Sequence, residues 1–115
     1  MPNDWSENIV LCELNDEPML SEELSAVIQR MEGATVAVPH VVLNFSGVTY
    51  VNSSNLAQLI KLRNLMKEKD ATLKLCSVQD EVRSIFSLTG LDKIFRFAPD
   101  PMTALAGLQL EESGQ

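Results

Sequence analysis

Between Val41 and Leu56 the chain changes its hydrophobic period, and that change restricts the fold more than any other feature. Val41-Val42-Leu43-Asn44-Phe45 is a continuous apolar run carrying one asparagine, the pattern of a strand covered on both faces. Ser46-Gly47 signals a turn, and a short extended segment follows from Val48 to Val51. From Ser54 to Lys69, Leu56, Leu59, Ile60, Leu62, Arg63 and Met66 recur at three-to-four spacing, which predicts an amphipathic helix. Lys61, Asn64, Lys67 and Glu68 fall toward its wet side.

The same alternation extends in both directions. Asn8 to Leu14 reads as a first strand, ended by the turn Asn15-Asp16-Glu17-Pro18. Ser21-Glu22-Glu23 opens a helix whose apolar face is Leu24, Val27, Ile28 and Met31, and Gly33 stops it. Thr72 to Cys76 alternates like a strand. Gln79 to Leu88 is helical, with Val82, Ile85, Phe86 and Leu88 inward and Gly90 as its stop. Ile94 to Phe97 is a short strand, and Pro99-Asp100-Pro101 opens a last helix through Leu105 and Leu108. Strands alternating with helices imply an α/β layer with parallel pairs and right-handed crossovers. The expectation is one α/β domain over residues 8–110, a mixed and mostly parallel sheet with helices packed on one face. Residues 1–7 are expected to form a flexible arm and residues 111–115 a frayed tail. Leu43, Leu56, Ile60, Leu75, Ile85 and Phe86 are the expected deep core.

Composition narrows the function. With 16 acidic residues against 9 basic ones, the net charge is −7. An acidic surface repels nucleic-acid phosphates and anionic membrane faces, so neither is an expected partner. No apolar run approaches the ~20 residues that span a bilayer, and the N-terminus lacks signal-peptide character, so the cytoplasm is the expected compartment. Cys12 and Cys76 lie in strand-like runs without metal-ligand spacing and read as buried, reduced thiols.

Enzyme motifs are nearly absent: there is no G-x-G-x-x-G, no Walker-A sequence and no G-x-S-x-G. The single histidine, His40, sits at the lip of a strand and is read as structural. Glu22-Glu23 and Asp80-Glu81 complement helix dipoles without forming catalytic pairs. Met19, Met31, Met66 and Met102 fall at core spacings and read as gap-fillers. Trp5 is either a cover for a sheet edge or a docking aromatic. The expectation is a non-enzymatic protein with no cofactor and no metal.

One local feature points to regulation. Ser53-Ser54 falls at a helix start, where unpaired N–H groups and the positive end of the helix dipole stabilise a phosphate. The pair reads either as a phosphorylation switch or as an ordinary N-cap.

The stretch from Val41 to Phe97 resembles a STAS domain, the fold of anti-sigma-factor antagonists and of the cytoplasmic tails of sulphate transporters. The family pattern is an apolar strand, a turn, Asp-Ser-Ser/Thr-Gly-Leu opening a helix, then a strand, a helix ending in Thr/Ser-Gly-Leu, and a short aromatic strand. The matching pieces are Val41 to Phe45, Asn52-Ser53-Ser54-Asn55-Leu56, Leu73 to Cys76, and Leu88 to Phe95 with its Thr89-Gly90-Leu91-Asp92 core. The resemblance implies a protein partner, an anti-sigma factor of the serine-kinase type. It makes Ser53 the phosphorylated residue with Ser54 beside it, and adds a phosphatase where the switch operates. Three departures stand out: Asn52 replaces Asp, Asn55 replaces Gly, and the loop from Leu14 to Pro18 lacks the family's glycine pattern. The surface formed by Asn15, Asp16, Asn52, Ser53, Ser54 and Asn55 is the expected partner-binding face. The alternative is a STAS scaffold without phosphorylation, an accessory subunit of a signalling complex or a transporter.

Overall fold

A computed structural model describes residues 3–6, 8–36 and 38–113. The order is β1 (Asn3–Ser6), β2 (Ile9–Asn15), α1 (Met19–Gly33), β3 (His40–Gly47), α2 (Ser53–Glu68), β4 (Leu73–Cys76), α3 (Asp80–Leu88), a 3-10 turn (Leu91–Lys93), β5 (Arg96–Ala98) and α4 (Pro101–Ser113). The five strands form one sheet in the order β1-β2-β3-β4-β5. β1 pairs antiparallel with β2, and every other pair is parallel. The mixed, mostly parallel sheet expected from the sequence is therefore present.

The strand order decides where the helices go. β2, β3, β4 and β5 follow one another across the sheet in chain order, so each same-handed crossover steps in the same direction and sets its helix on the same face. α1, α2 and α3 accordingly share one core with Leu14, Val41, Leu43, Phe45, Leu73 and Leu75. Helix α4 departs from the single-face expectation. It follows the last strand, bridges no parallel pair and is free of that constraint. It covers the other face, where Ala104, Leu105 and Leu108 pack on Ile9, Leu11, Val42 and Cys76. With both faces covered, Val41 to Phe45 is buried throughout. Asn44 is satisfied there, its Oδ1 accepting the Ser46 N–H at 3.0 Å.

Phe86 is the centre of the larger core. It meets Phe45, Phe95 and Phe97 edge-on, with ring centroids 6.5, 5.6 and 5.5 Å away. Arg83 stacks on the outer side of Phe97, 3.8 Å from its centroid. The helices are also tied at their C-terminal ends: Lys69 Nζ, just beyond α2, donates to the carbonyl of Ala34, just beyond α1, where cations are favoured. His40 is structural as expected, its Nδ1 accepting the Thr72 N–H at 2.9 Å between β3 and β4.

Several expectations change. Residues 3–6, assigned from sequence to a flexible arm, form the edge strand β1; the Trp5 side chain and residues 1, 2 and 7 lie outside the described residues. α4 runs on to Ser113 within the expected frayed tail, and residues 114–115 lie outside the described residues. Leu43, Leu75 and Phe86 are buried, but Leu56, Ile60 and Ile85 only lean on the core edge. The buried stripe of α2 is Asn55, Leu59, Leu62 and Met66. That stripe is rotated from the expected face because a polar residue, Asn55, takes the innermost position of the first turn. Leu88 projects into solvent, as do Met19 and Met102, while Met31 and Met66 fill the core. Cys12 packs against the α1–α3 core and Cys76 against α4, so the sheet separates the two thiols. Burial pushes the Cys76 thiol up to about 11.

These positions order two truncations. Phe86→Ala should cost about 3–5 kcal/mol, because it removes a buried ring together with its three partners. Ile60→Ala, at the partly exposed edge of the core, should cost less, roughly 1 kcal/mol. Urea denaturation of both variants checks the ranking, and equal losses would contradict the packing.

Candidate functional site

Parallel strands deliver their following loops to one end of the sheet, here the end holding the β2–α1 loop and the β3–α2 loop. Gly47 lets them come close: a Cβ there would lie 2.9 Å from the Leu14 carbonyl oxygen, so any side chain would force the strand ends apart. Two acidic residues of the first loop then clamp the second. Asp16 accepts from the Thr49 N–H and from Thr49 Oγ1, both at 2.8 Å. Glu17 accepts from Asn55 Nδ2 at 2.9 Å and from both the backbone N–H and the hydroxyl of Ser21. Asn15 is held in turn, donating its N–H and Nδ2 to the Glu23 carboxylate at 2.8 Å each.

Helix α2 opens on a reciprocal capping box. Asn52 Oδ1 accepts the Asn55 N–H at 2.8 Å, and Asn55 Oδ1 accepts the Asn52 N–H at 3.0 Å. Asn55 thus uses its amide oxygen on the cap and its amide nitrogen on Glu17, fully buried. The cap falls to Asn52 rather than to either serine: Ser53 and Ser54 are the first two residues of the helix, and both are exposed. The N-cap reading of the serine pair is corrected on that ground.

The structure brings Asn15, Asp16, Asn52, Ser53, Ser54 and Asn55 to one end of the molecule, as the sequence reading expected. It divides them by role. Asn55 was expected to face a partner, but its side chain points inward and does structural work. Asp16, partly buried, and Glu17, exposed, act as clamps between the two loops. Two apolar side chains of this end are exposed: Met19, which reads from the sequence as a core gap-filler, and Tyr50, which sequence reasoning did not single out. Met19 follows the first loop, and its N–H donates to the Asp16 carbonyl at 3.1 Å. Tyr50 follows Thr49, and its backbone N–H also reaches the Asp16 carboxylate. They are 50% and 63% exposed. Met19 lies just ahead of the buried stripe of α1, and Tyr50 lies between Val48 and Val51, which turn inward.

Electrostatically the end is acidic. The hydrogen bonds from Thr49 hold the Asp16 carboxyl below the usual carboxylate range. Those from Ser21 and Asn55 do the same for Glu17. Among the described residues, no group of three or more His, Cys, Asp or Glu side chains is placed to hold a metal ion. No helix among them is long and apolar enough to cross a membrane.

A sheet with this order, two clamped loops and a helix opening on two exposed serines define a class of small regulatory domain, and the comparisons with known proteins agree. The STAS domain model matches residues 7–104, and the chain belongs to the STAS domain family. An anti-sigma F factor antagonist of Paenibacillus polymyxa is 24% identical over 92 residues, which span 80% of this chain and 74% of that protein. The solved structure of an anti-sigma-factor antagonist (STAS) domain protein from Planctomyces limnophilus superposes with a TM-score of 0.79 at 18% identity, covering 95% of this chain and 97% of that one. A serine-to-glutamate variant of RsbS from Moorella thermoacetica superposes at 0.78 with 17% identity, covering 98% and 97%. The chain is a STAS domain, similar in sequence and in fold to proteins named as anti-sigma-factor antagonists.

Two predictions come from the clamps. Asn55→Ala removes a buried amide that serves both the cap and Glu17, and should cost roughly 1–3 kcal/mol in denaturant titrations. Asp16 and Glu17 have lowered folded-state values, so the stability they add is complete above about pH 4.5 and is lost as pH falls through those values. Melting temperature should therefore drop on acidification below that pH. The drop should be shallower in the Asp16→Asn, Glu17→Gln double variant, and an unchanged acid profile would remove both clamps from the stability of the fold.

Proposed function

We propose that this chain is a regulatory protein-binding module that captures an anti-sigma factor through the end of the sheet bearing Met19, Tyr50, Ser53 and Ser54, and that phosphorylation of Ser53 releases it. One observation carries the reading. Two serine hydroxyls that the helix cap does not use stand exposed beside two exposed apolar side chains, on loops already fixed by Asp16 and Glu17. Apolar anchors next to a modifiable hydroxyl are what a switchable contact requires. The anchors supply affinity, and the hydroxyl is where charge enters.

A phosphate on Ser53 would sit on the first turn of α2, where the helix dipole favours an anion, so the domain itself would remain folded. The effect falls on the complex. About two negative charges would be forced into a close contact, and would need either desolvation or a cation to meet them. Asn52 makes the switch tolerable on this side. The neutral amide caps the helix as a carboxylate would, without adding a like charge beside the phosphate. In this reading a serine kinase, which is the anti-sigma factor itself, adds the phosphate and a phosphatase removes it, all in the cytoplasm.

Calorimetry with an anti-sigma factor of the serine-kinase type from the same cell tests both parts. Ser53→Asp should weaken binding at least about tenfold, about 1.4 kcal/mol, with its melting temperature unchanged, while Ser53→Ala still binds. Tyr50→Ala should weaken binding to a similar degree. Mass spectrometry of the native protein separates the switch from the surface. Ser53 unmodified with the kinase present, while Tyr50→Ala still weakens binding, would leave the surface and remove the switch, in favour of a constitutive scaffold.

A further inference from the structure

The outward faces of the first three helices are charged. Exposed residues include Glu22, Arg30 and Glu32 on α1, Lys61, Lys67 and Glu68 on α2, and Asp80, Glu81 and Arg83 on α3. Helix α4 is different. From Pro101 to Leu110 it has no charged residue, although charged residues make up 22% of the chain. Its inner face is occupied by Ala104, Leu105 and Leu108. Its outer face presents Met102, Ala106 and Leu110, one turn apart from each other, all exposed, with Met102 at 65% and Leu110 at 71%. Thr103 and Gln109 are the exposed polar residues of this stretch, and the apolar line of Met102, Ala106 and Leu110 runs along the side of α4 away from the sheet.

The stripe has a shape as well as a polarity. Ala106 lies between two long side chains, leaving a notch between two ridges roughly 12 Å apart. A large side chain on a crossing helix fills such a notch. Acidic residues flank the stripe on both sides in the sequence. Asp100 caps α4, its Oδ1 accepting the Thr103 N–H at 2.7 Å, and that bond holds its carboxyl below the usual range and therefore ionised. Glu111 and Glu112 follow Leu110 in the sequence. The nearby cations are turned to the chain's own use: Lys74 runs beneath α4 at Gly107, and both Lys74 and Arg96 have partners within the molecule.

We infer that the outer face of α4 is a second docking surface, for an amphipathic helix of another protein whose apolar stripe is bracketed by lysine or arginine. Charge selects that occupant. A second copy of this chain would set acidic ends against acidic ends on a protein of net charge −7, and an anionic bilayer would meet the same repulsion. A basic-ended helix satisfies the ends and the centre together. The face lies across the sheet from the core shared by α1–α3, so engagement there is independent of Ser53 and the proposed switch.

The probe is a synthetic amphipathic peptide with a leucine–alanine stripe and lysines at both ends, paired with a twin ending in glutamates. Titrated into the isotopically labelled protein, the lysine-ended peptide should shift the amide signals of residues 102–110. The glutamate-ended twin should bind at least fivefold more weakly. Met102→Glu combined with Leu110→Glu should abolish the shifts at unchanged melting temperature. Equal binding of the two peptides, or shifts confined to α1–α3, would overturn the inference. So would concentration-dependent dimerisation that the double variant removes, which would make the face a self-contact. Binding to phosphatidylglycerol vesicles through the same residues would overturn it too.

Discussion

The amide of Asn55 holds together the end of the molecule where the β2–α1 and β3–α2 loops meet. One buried side chain closes the first turn of α2 through its oxygen and anchors the β2–α1 loop through its nitrogen. Glycine at this position would supply neither bond, and a longer residue would not fit a site with no exposed surface. The Asn52–Asn55 pair therefore does two things at once. It starts a helix whose first two residues are free to face outward, and it fixes the distance between two loops that sequence separates by more than thirty positions.

The other determinant is the order of the strands. A sheet filled in chain order, one crossover after another, stacks its crossover helices on one side and leaves the other side bare. The remaining helix must close it, and α4 does. Phe86 then settles the packing of the larger side, since its ring is the common neighbour of phenylalanines from β3, from the segment before β5 and from β5 itself. Fold and site are coupled through this arrangement. The parallel strands aim their loops at the end where α2 begins, and the aromatic cluster ties α3 to the sheet.

Much of this was legible in the sequence, for identifiable reasons. The four helices and the four parallel strands stood out because their periods differ cleanly, and because Gly33, Gly90 and Pro101 mark boundaries. The serine pair and the acidic loop were visible as candidates because turn chemistry and helix starts have local signatures. The direction of Asn55 was not legible. A polar residue in a first turn is ordinarily exposed, and only a carboxylate arriving from a distant loop makes burial favourable. Ile60 was misjudged for the same reason, since the inward rotation of Asn55 moves the buried stripe of α2 to Leu59 and Leu62. The face taken by α4 was missed because sidedness follows from strand order, which periodicity does not report. Met19 reads as core because its spacing matches that of the buried methionines, and Tyr50 carries no local signal of exposure, lying between Val48 and Val51, which are buried.

The paired clamps of Asp16 and Glu17 also have a kinetic meaning. Loops tied down before any contact leave little chain entropy to be lost on association, so a partner meets a finished surface and docks as one rigid body against another. Arrival is then governed by diffusion and by the acidic field of the molecule, which differs little between closely related surfaces. Differences between them are expressed in how long the two proteins stay together. On a preformed surface of this kind, a single added charge acts chiefly on the lifetime of the complex.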